Sequence, residues 1–164
     1  TDRNSVRSVP ASEIGAQTWT EFDPPLRLFG ESGQGTEQFL FPNVAVADGL
    51  GRIHVTDGNN GRVSVWDDQG NFLFLFGQGA GEGALSLPRG AEIDGRDRLH
   101  VVDAVGQEVK VYDVSGGEPA FLFAFGDFGQ GDGHFNYPND IALDASGRLY
   151  IADRENSRIQ VWSY

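Results

Sequence analysis

Tyr137-Pro138-Asn139-Asp140-Ile141-Ala142-Leu143 runs on through Gly147-Arg148-Leu149-Tyr150-Ile151-Ala152-Asp153 to Arg158-Ile159-Gln160-Val161-Trp162. These are three short runs of β-branched and aromatic residues, parted by Gly, Asp and Asn turn positions, which is how successive β-strands read. The stretch has two counterparts upstream. Phe41-Pro42-Asn43-Val44 begins a copy that continues through Gly51 to Asp57 and Arg62 to Trp66. Leu87-Pro88-Arg89-Gly90 begins another, continuing through Arg98 to Asp103 and Val109 to Tyr112. Pro42, Pro88 and Pro138 lie 46 and 50 residues apart, and Asp57, Asp103 and Asp153 keep the same two spacings.

A fourth run precedes each proline: Leu26 to Gly30, Phe72 to Gly77 and Phe121 to Gly126, each followed by a glycine-rich loop. Four short strands in a period of forty to fifty residues is the signature of a β-propeller blade. In the second run Ile53 and Val55 alternate with His54, so both faces carry bulky side chains, as in a sheet covered on both sides. A single blade cannot bury both faces, and neighbours must stack on it.

The pattern Pro-x-x-Ile-Ala, then Gly-Arg-Leu-Tyr-Ile-Ala-Asp, then Arg-Ile-Gln-Val-Trp closely resembles the NHL repeat, and Pro138 to Trp162 carries it most fully. The resemblance extends over residues 26–164. It implies an all-β chain of NHL-type propeller blades, each of four antiparallel strands, at about 42–76, 88–125 and 138–164. Such families generally form six-bladed rings, so the chain corresponds to about half a ring. Residues 1–25 read as an extended connection, with a partial repeat at Thr1 to Arg7 and with Trp19 and Phe22 as anchors.

Three blades are too few to close, since known rings need at least about four. The strand frame leaves 26–29 as a spare final strand and the Trp162 blade without one. Open edges and bare faces invite pairing. The expectation is an open arc completed by another chain, with Leu26, Leu28, Phe29, Ile159, Val161 and Trp162 as the assembly interface. Two-fold closure would give a ring, a contact that fails to close would give a filament, and a third option is that the chain is a segment of a longer repeat protein.

Composition narrows the function. The 164 residues include 24 acidic and 12 basic side chains, for a net charge of −12. Phosphate backbones and anionic membrane surfaces recruit Lys and Arg, so neither nucleic acid nor membrane is expected as a partner. No apolar run approaches the roughly 18 residues of a membrane span. The chain has no Cys, which excludes disulfides and thiolate metal sites, and no Met. Thr1 therefore reads as a processed or excised start, and a secreted or cell-surface location is expected.

Candidate site residues follow from the repeat frame. In propellers the first strand of each blade lines the channel, and its start lies at the mouth. Asn43, Arg89, Asn139 and Asp140 map there, with Glu92 further in, as a candidate surface for a small ligand or another protein. Asp57 with Arg62, and Asp153 with Arg158, recur at one repeat position and read as architecture. His54 and His100 occupy the place of Tyr150 and read as packing residues between blades. His134 reads as a solvated loop residue. Asp127, Asp132 and Glu82 lack the ordered spacing of calcium loops, so no cofactor is expected and calcium is a minor alternative.

The leading reading is a non-catalytic binding or assembly module. The alternative is a metal-dependent hydrolase, lactonase or lyase of six-bladed type. The lyases among NHL relatives carry zinc-binding histidines directly after the blade proline, where this chain has Asn43, Arg89 and Asn139.

Overall fold

The computed structural model describes residues 25–164. The connection expected over residues 1–25, with Thr1 to Arg7, Trp19 and Phe22, lies outside the described residues except for Pro25. Two short strands come first, β1 (Glu31–Ser32) and β2 (Gln38–Phe39), paired in parallel. The first blade is β3 (Pro42–Ala47), β4 (Ile53–Asp57), β5 (Arg62–Trp66) and β6 (Phe72–Phe76), an antiparallel sheet in sequence order. The second is β7 (Pro88–Ile93), β8 (Arg98–Asp103), β9 (Glu108–Asp113) and β10 (Ala120–Phe125), again in order. The third has three strands, β11 (Asp140–Leu143), β12 (Leu149–Asp153) and β13 (Arg158–Trp162).

Register bears out the internal repeat residue by residue. Asp57 pairs with Arg62, Asp103 with Glu108 and Asp153 with Arg158 across the same hairpin. That hairpin turns through one left-handed residue in each blade: Gly61 at φ 59°, Gln107 at 62° and Ser157 at 52°. Pro42 and Pro88 open their inner strands, where a missing N–H leaves no ladder bond unmade.

Two apolar clusters glue the blades together. Val63 and Val65 of the first blade pack on Ala91, Leu99, Val101 and Tyr112 of the second. Val102 and Val109 of the second pack with Ile141, Leu149 and Ile151 of the third. Burial of such side chains stabilises by about 1.5–3 kcal/mol each, and these contacts are the core of the molecule. Gly90 lets the inner strands of the second and third blades approach. A Cβ there would lie 2.6 Å from the Asp140 Cα, and the Gly90 N–H donates to the Asn139 carbonyl at 3.0 Å.

A loop seals the flank of each blade, and a buried carboxylate fastens it. Asp57 accepts from the Leu40 N–H at 2.7 Å, Asp103 from Ser86 and Leu87 at 2.7 and 2.9 Å, and Asp153 from Asn136 at 2.8 Å. The guanidinium of Arg62 joins Asp57 at 2.8 Å and donates to the carbonyls of Gly35 and Gln38. Arg158 repeats this with Asp153, Gly131 and His134. In the second blade Lys110 takes over, donating to the Glu82 carbonyl at 2.6 Å. The Asp and Arg pairs are architectural.

The expected spare strand is corrected in one respect. Leu26 to Phe29 adopts no strand and joins no ladder among the described residues. A ladder needs a neighbour on the hydrogen-bonding side, and none of the described strands lies there. The segment is nonetheless held in place. Phe29 packs on Trp66 with ring centroids 5.0 Å apart, and Arg27 donates to the Asp68 carbonyl at 2.6 Å.

Candidate functional site

The inner strands β3, β7 and β11 lie side by side, so the residues after each proline form one rim. Arg89 donates from Nη1 to the Asn43 Oδ1 at 3.0 Å, bridging the first and second blades. Asn43 is oriented from its other end, where Nδ2 donates to the Phe41 carbonyl at 3.0 Å. The Arg89 Nε is buried without a hydrogen-bond partner. Thr56 supports this arrangement from beneath, donating to the Arg89 carbonyl at 2.7 Å and accepting from the Val44 N–H at 3.0 Å.

On the other side of β7 the rim is acidic. Burial pushes the Glu92 carboxyl above its ordinary value, and the neighbouring charge of Asp140 adds to the rise. Asp140 is exposed and accepts from the Ile141 N–H at 2.9 Å. Asn139 is exposed and contributes its backbone carbonyl to Gly90. The structure therefore brings Asn43 to Arg89 and sets Glu92 beside Asp140. One cation, two carboxylates and two amides can orient a polar ligand by hydrogen bonds.

His54 and His100 lie away from this rim, buried between blades, and they are polar contacts as well as packing. His54 Nε2 meets the Asp48 Oδ2 at 2.8 Å with both side chains 1% exposed, and the ring stands edge-on to Phe76. Burial drives the His54 pKa below its ordinary value despite the carboxylate. Asp48 is driven down, because hydrogen bonds from His54 and Arg52 outweigh the opposing, larger single effect of burial. His100 is bonded through Nε2 to the Tyr164 hydroxyl and is also lowered by burial. In the third blade the Tyr150 hydroxyl reaches Asp144 at 3.1 Å.

The sequence reading missed the acid behind these residues. Asp48, Asp94 and Asp144 each bind the Arg four positions on, at 2.6, 2.6 and 2.8 Å. The signal was available, because Asp48 to Arg52, Asp94 to Arg98 and Asp144 to Arg148 recur at the repeat's own spacing. Arg52 goes further and donates to the Val114 and Gly116 carbonyls of the second blade.

The minor calcium alternative gains no cluster. The His134 Nδ1 is hydrogen-bonded to the Asp127 carboxylate, and Asp132 reaches Arg158 at 3.7 Å. Glu82 offers Lys110 its backbone carbonyl. No group of three or more His, Asp or Glu that could hold a metal occurs among the described residues.

The expected assembly residues divide. Val63 and Val109, at one repeat position, are 0% exposed, and so are Val65 and Val111 at the next. Their counterparts in the third blade, Ile159 and Val161, are 61% and 57% exposed. Leu26 and Leu28 are also exposed, and Phe29 less so. Trp162 is a correction. It faces backward onto Phe125 and Phe135, at 4.7 and 5.8 Å, because side chains alternate along a strand and its neighbour Val161 takes the open face.

Comparison with known proteins supports the fold. The family model of the NHL repeat matches residues 135–162. Among curated proteins no sequence relative matches. Solved β-propeller structures are similar to the chain. A protein of Bacteroides fragilis described as exported is 16% identical with a TM-score of 0.58, over 76% of this chain and 32% of that one. The periplasmic gluconolactonase of Pseudomonas aeruginosa is 14% identical with a TM-score of 0.57, over 73% and 34%. A virginiamycin B lyase of Staphylococcus aureus, solved with quinupristin, is 12% identical with a TM-score of 0.52, over 80% and 43%. The chain thus spans 32% to 43% of the length of these structures. Residues 135–162 are an NHL repeat, and the three sheets are consecutive blades of a partial β-propeller. No described helix is long and apolar enough to cross a membrane.

Proposed function

We propose that this chain is a non-catalytic binding and assembly module, whose open blade face is covered by another copy and whose inner rim presents Asn43, Arg89, Glu92, Asn139 and Asp140 to a polar ligand. One observation carries the assembly reading. The residues that are wholly buried at two repeat positions in the first and second blades lie more than half exposed in the third. Large exposed apolar patches mark interaction sites. An extracellular or cell-surface setting belongs to the same reading, in keeping with the exported and periplasmic neighbours.

Light scattering of the purified chain tests it. Assembly gives a mass that is a multiple of 17.8 kDa at micromolar concentration. The double substitution Ile159→Asp with Val161→Asp returns it to 17.8 kDa, because a carboxylate on each exposed position cannot be desolvated at the contact. A compact 17.8 kDa monomer for the unaltered chain sinks the assembly reading.

The lactonase and lyase neighbours prompt a second, enzymatic reading. The acidic pair Glu92 and Asp140 is the feature that favours it, since burial and the Asp140 charge raise the Glu92 carboxyl above its ordinary value and such a carboxyl can serve acid–base chemistry. Lactone hydrolysis by the chain, lost in Glu92→Gln, would establish that reading and overturn the non-catalytic one.

A further inference from the structure

Aspartate stands directly before glycine four times in the chain, at Asp48, Asp57, Asp94 and Asp132. Such a pair is prone to close on itself, because glycine has no Cβ to hinder attack by its nitrogen on the preceding carboxyl. The fold restrains three of the four. Asp48 accepts the N–H groups of Leu50 and Arg52, both at 2.9 Å, and pairs with the Arg52 guanidinium. Asp57 is wholly buried and holds Leu40 and Arg62. Asp94 accepts from Arg96 and Arg98 at 2.9 and 3.0 Å and pairs with the Arg98 guanidinium. Asn60, the one asparagine before a glycine, is tied through its amide to the Gly33 carbonyl and to Asp57, at 3.0 and 2.7 Å.

Asp132 differs from all of these. Its side chain is fully exposed and accepts no hydrogen bond among the described residues. Its 3.7 Å contact with Arg158 is an exposed ion pair, of little strength. Gly131 and Gly133 flank it and leave the backbone free to rotate. The Gly133 N–H is held by one side-chain contact, to Gln160 Oε1 at 3.1 Å. The exposure belongs to the repeat position. Arg62 reaches the carbonyls of Gly35 and Gln38 as Arg158 reaches those of Gly131 and His134, so Thr36 is the counterpart of Asp132. Thr36 is exposed with the second blade stacked after its own, and Asp132 with the second blade stacked before its own.

We propose that Asp132–Gly133 is a site of spontaneous backbone isomerisation, and that the change releases the loop fastening of the third blade. The Gly133 nitrogen bonds to the Asp132 Cγ and gives up its proton, the protonated carboxyl loses its hydroxyl, and the two leave as water. Water then reopens the cyclic imide. Cleavage of the new bond restores aspartate. Cleavage between the Gly133 nitrogen and the main-chain carbonyl carbon of Asp132 leaves isoaspartate, in which the chain runs through Cβ and Cγ. The backbone between Gly131 and His134 is then one carbon longer. Arg158 holds the carbonyls of both these residues, and the added carbon draws one of them out of reach.

The test is to hold the purified chain warm at neutral pH in heavy-oxygen water and to map it by mass spectrometry with electron-based fragmentation, which distinguishes isoaspartate from aspartate. Isoaspartate carrying one heavy oxygen is expected at Asp132 in at least about tenfold excess over Asp48, Asp57 or Asp94, the factor set by releasing one charge-assisted hydrogen bond. Asp132→Thr, which installs the first blade's residue, is expected to remove the product and keep the fold. Hydrogen exchange of the separated isoaspartate form is expected to quicken across residues 127–136 and to stay unchanged across 31–40. No isoaspartate at Asp132, or as much at any of the other three, overturns the site. Isoaspartate at Asp132 with unchanged exchange across 127–136 overturns the released fastening.

Discussion

Asp57→Asn is the substitution that weighs the loop fastening most directly. Asp57 is wholly buried, and its carboxylate holds Arg62, itself 2% exposed, together with the Leu40 N–H and the Asn60 amide. An amide of the same shape removes the charge and leaves a buried guanidinium without its counter-ion. Losing one partner of a buried ion pair costs about 3–5 kcal/mol. Asp103→Asn supplies the comparison within the same molecule. Asp103 is equally buried, but its oxygens accept only backbone N–H groups, from Ser86, Leu87 and Gly106. Turning one oxygen into a donor there costs about 1–3 kcal/mol for the mispaired N–H. With a slope of roughly 2 kcal/mol per molar urea, the first variant is expected to lower the unfolding midpoint by about 2 M and the second by about 1 M. Both are measured at one protein concentration, since association shifts apparent stability. A second arm isolates the stranded charge. Asp57→Asn with Arg62→Met is expected to be more stable than Asp57→Asn alone. If Asp103→Asn proves as costly as Asp57→Asn, or the double variant is weaker still, the charge is not what fastens the loop.

Other outcomes follow from single positions. Ser157→Gly relieves a left-handed residue at φ 52° and is expected to raise stability by about 0.5–1 kcal/mol in urea unfolding. Gly90→Ala sets a Cβ against the backbone of Asp140 and is expected to cost more than about 2 kcal/mol and to lose the protection of the Gly90 region in hydrogen exchange. Acidification acts through His54 and His100, whose pKa values burial holds below 6.5 in the folded chain. The unfolded chain then binds more protons, so their contribution is intact above about pH 6.5 and is lost as the pH falls below it. Glu92, raised by burial and Asp140, works in the opposite sense above pH 4.5. Urea unfolding of Glu92→Gln at pH 7.5 and about pH 5.5 isolates the histidines, and equal midpoints would contradict their burial as neutral rings.

The blades were legible because each is specified locally. Proline marks the first strand in every blade, and in the first and third blades Gly-Arg marks the second strand and Asp to Arg the hairpin into the third, each signal acting within a few residues. The pairing of Asn43 with Arg89 was not legible, since it joins residues 46 apart across two sheets. The backward aim of Trp162 was missed although strand alternation encodes it, because the residue was grouped with its neighbours by hydrophobicity. Leu26 to Phe29 has the composition of a strand, and composition alone does not provide the neighbour that turns such a segment into one. His54 illustrates a further limit. Its size suits the space between blades, but only the recurrence of Asp48 and Arg52 reveals that the space is also polar.

The loop fastening bears on how the chain is made. Arg62 and Arg158 each reach a carbonyl 27 residues earlier, and Lys110 one 28 residues earlier. Every fastening therefore points back toward the N-terminus and is complete once its third strand has been synthesised. A chain emerging N-terminus first, at about 5–20 residues per second, can lock each flank within seconds of its appearance. The strand edge still open at any moment is then only the newest one, and the time during which a half-made sheet could pair with the wrong partner stays short.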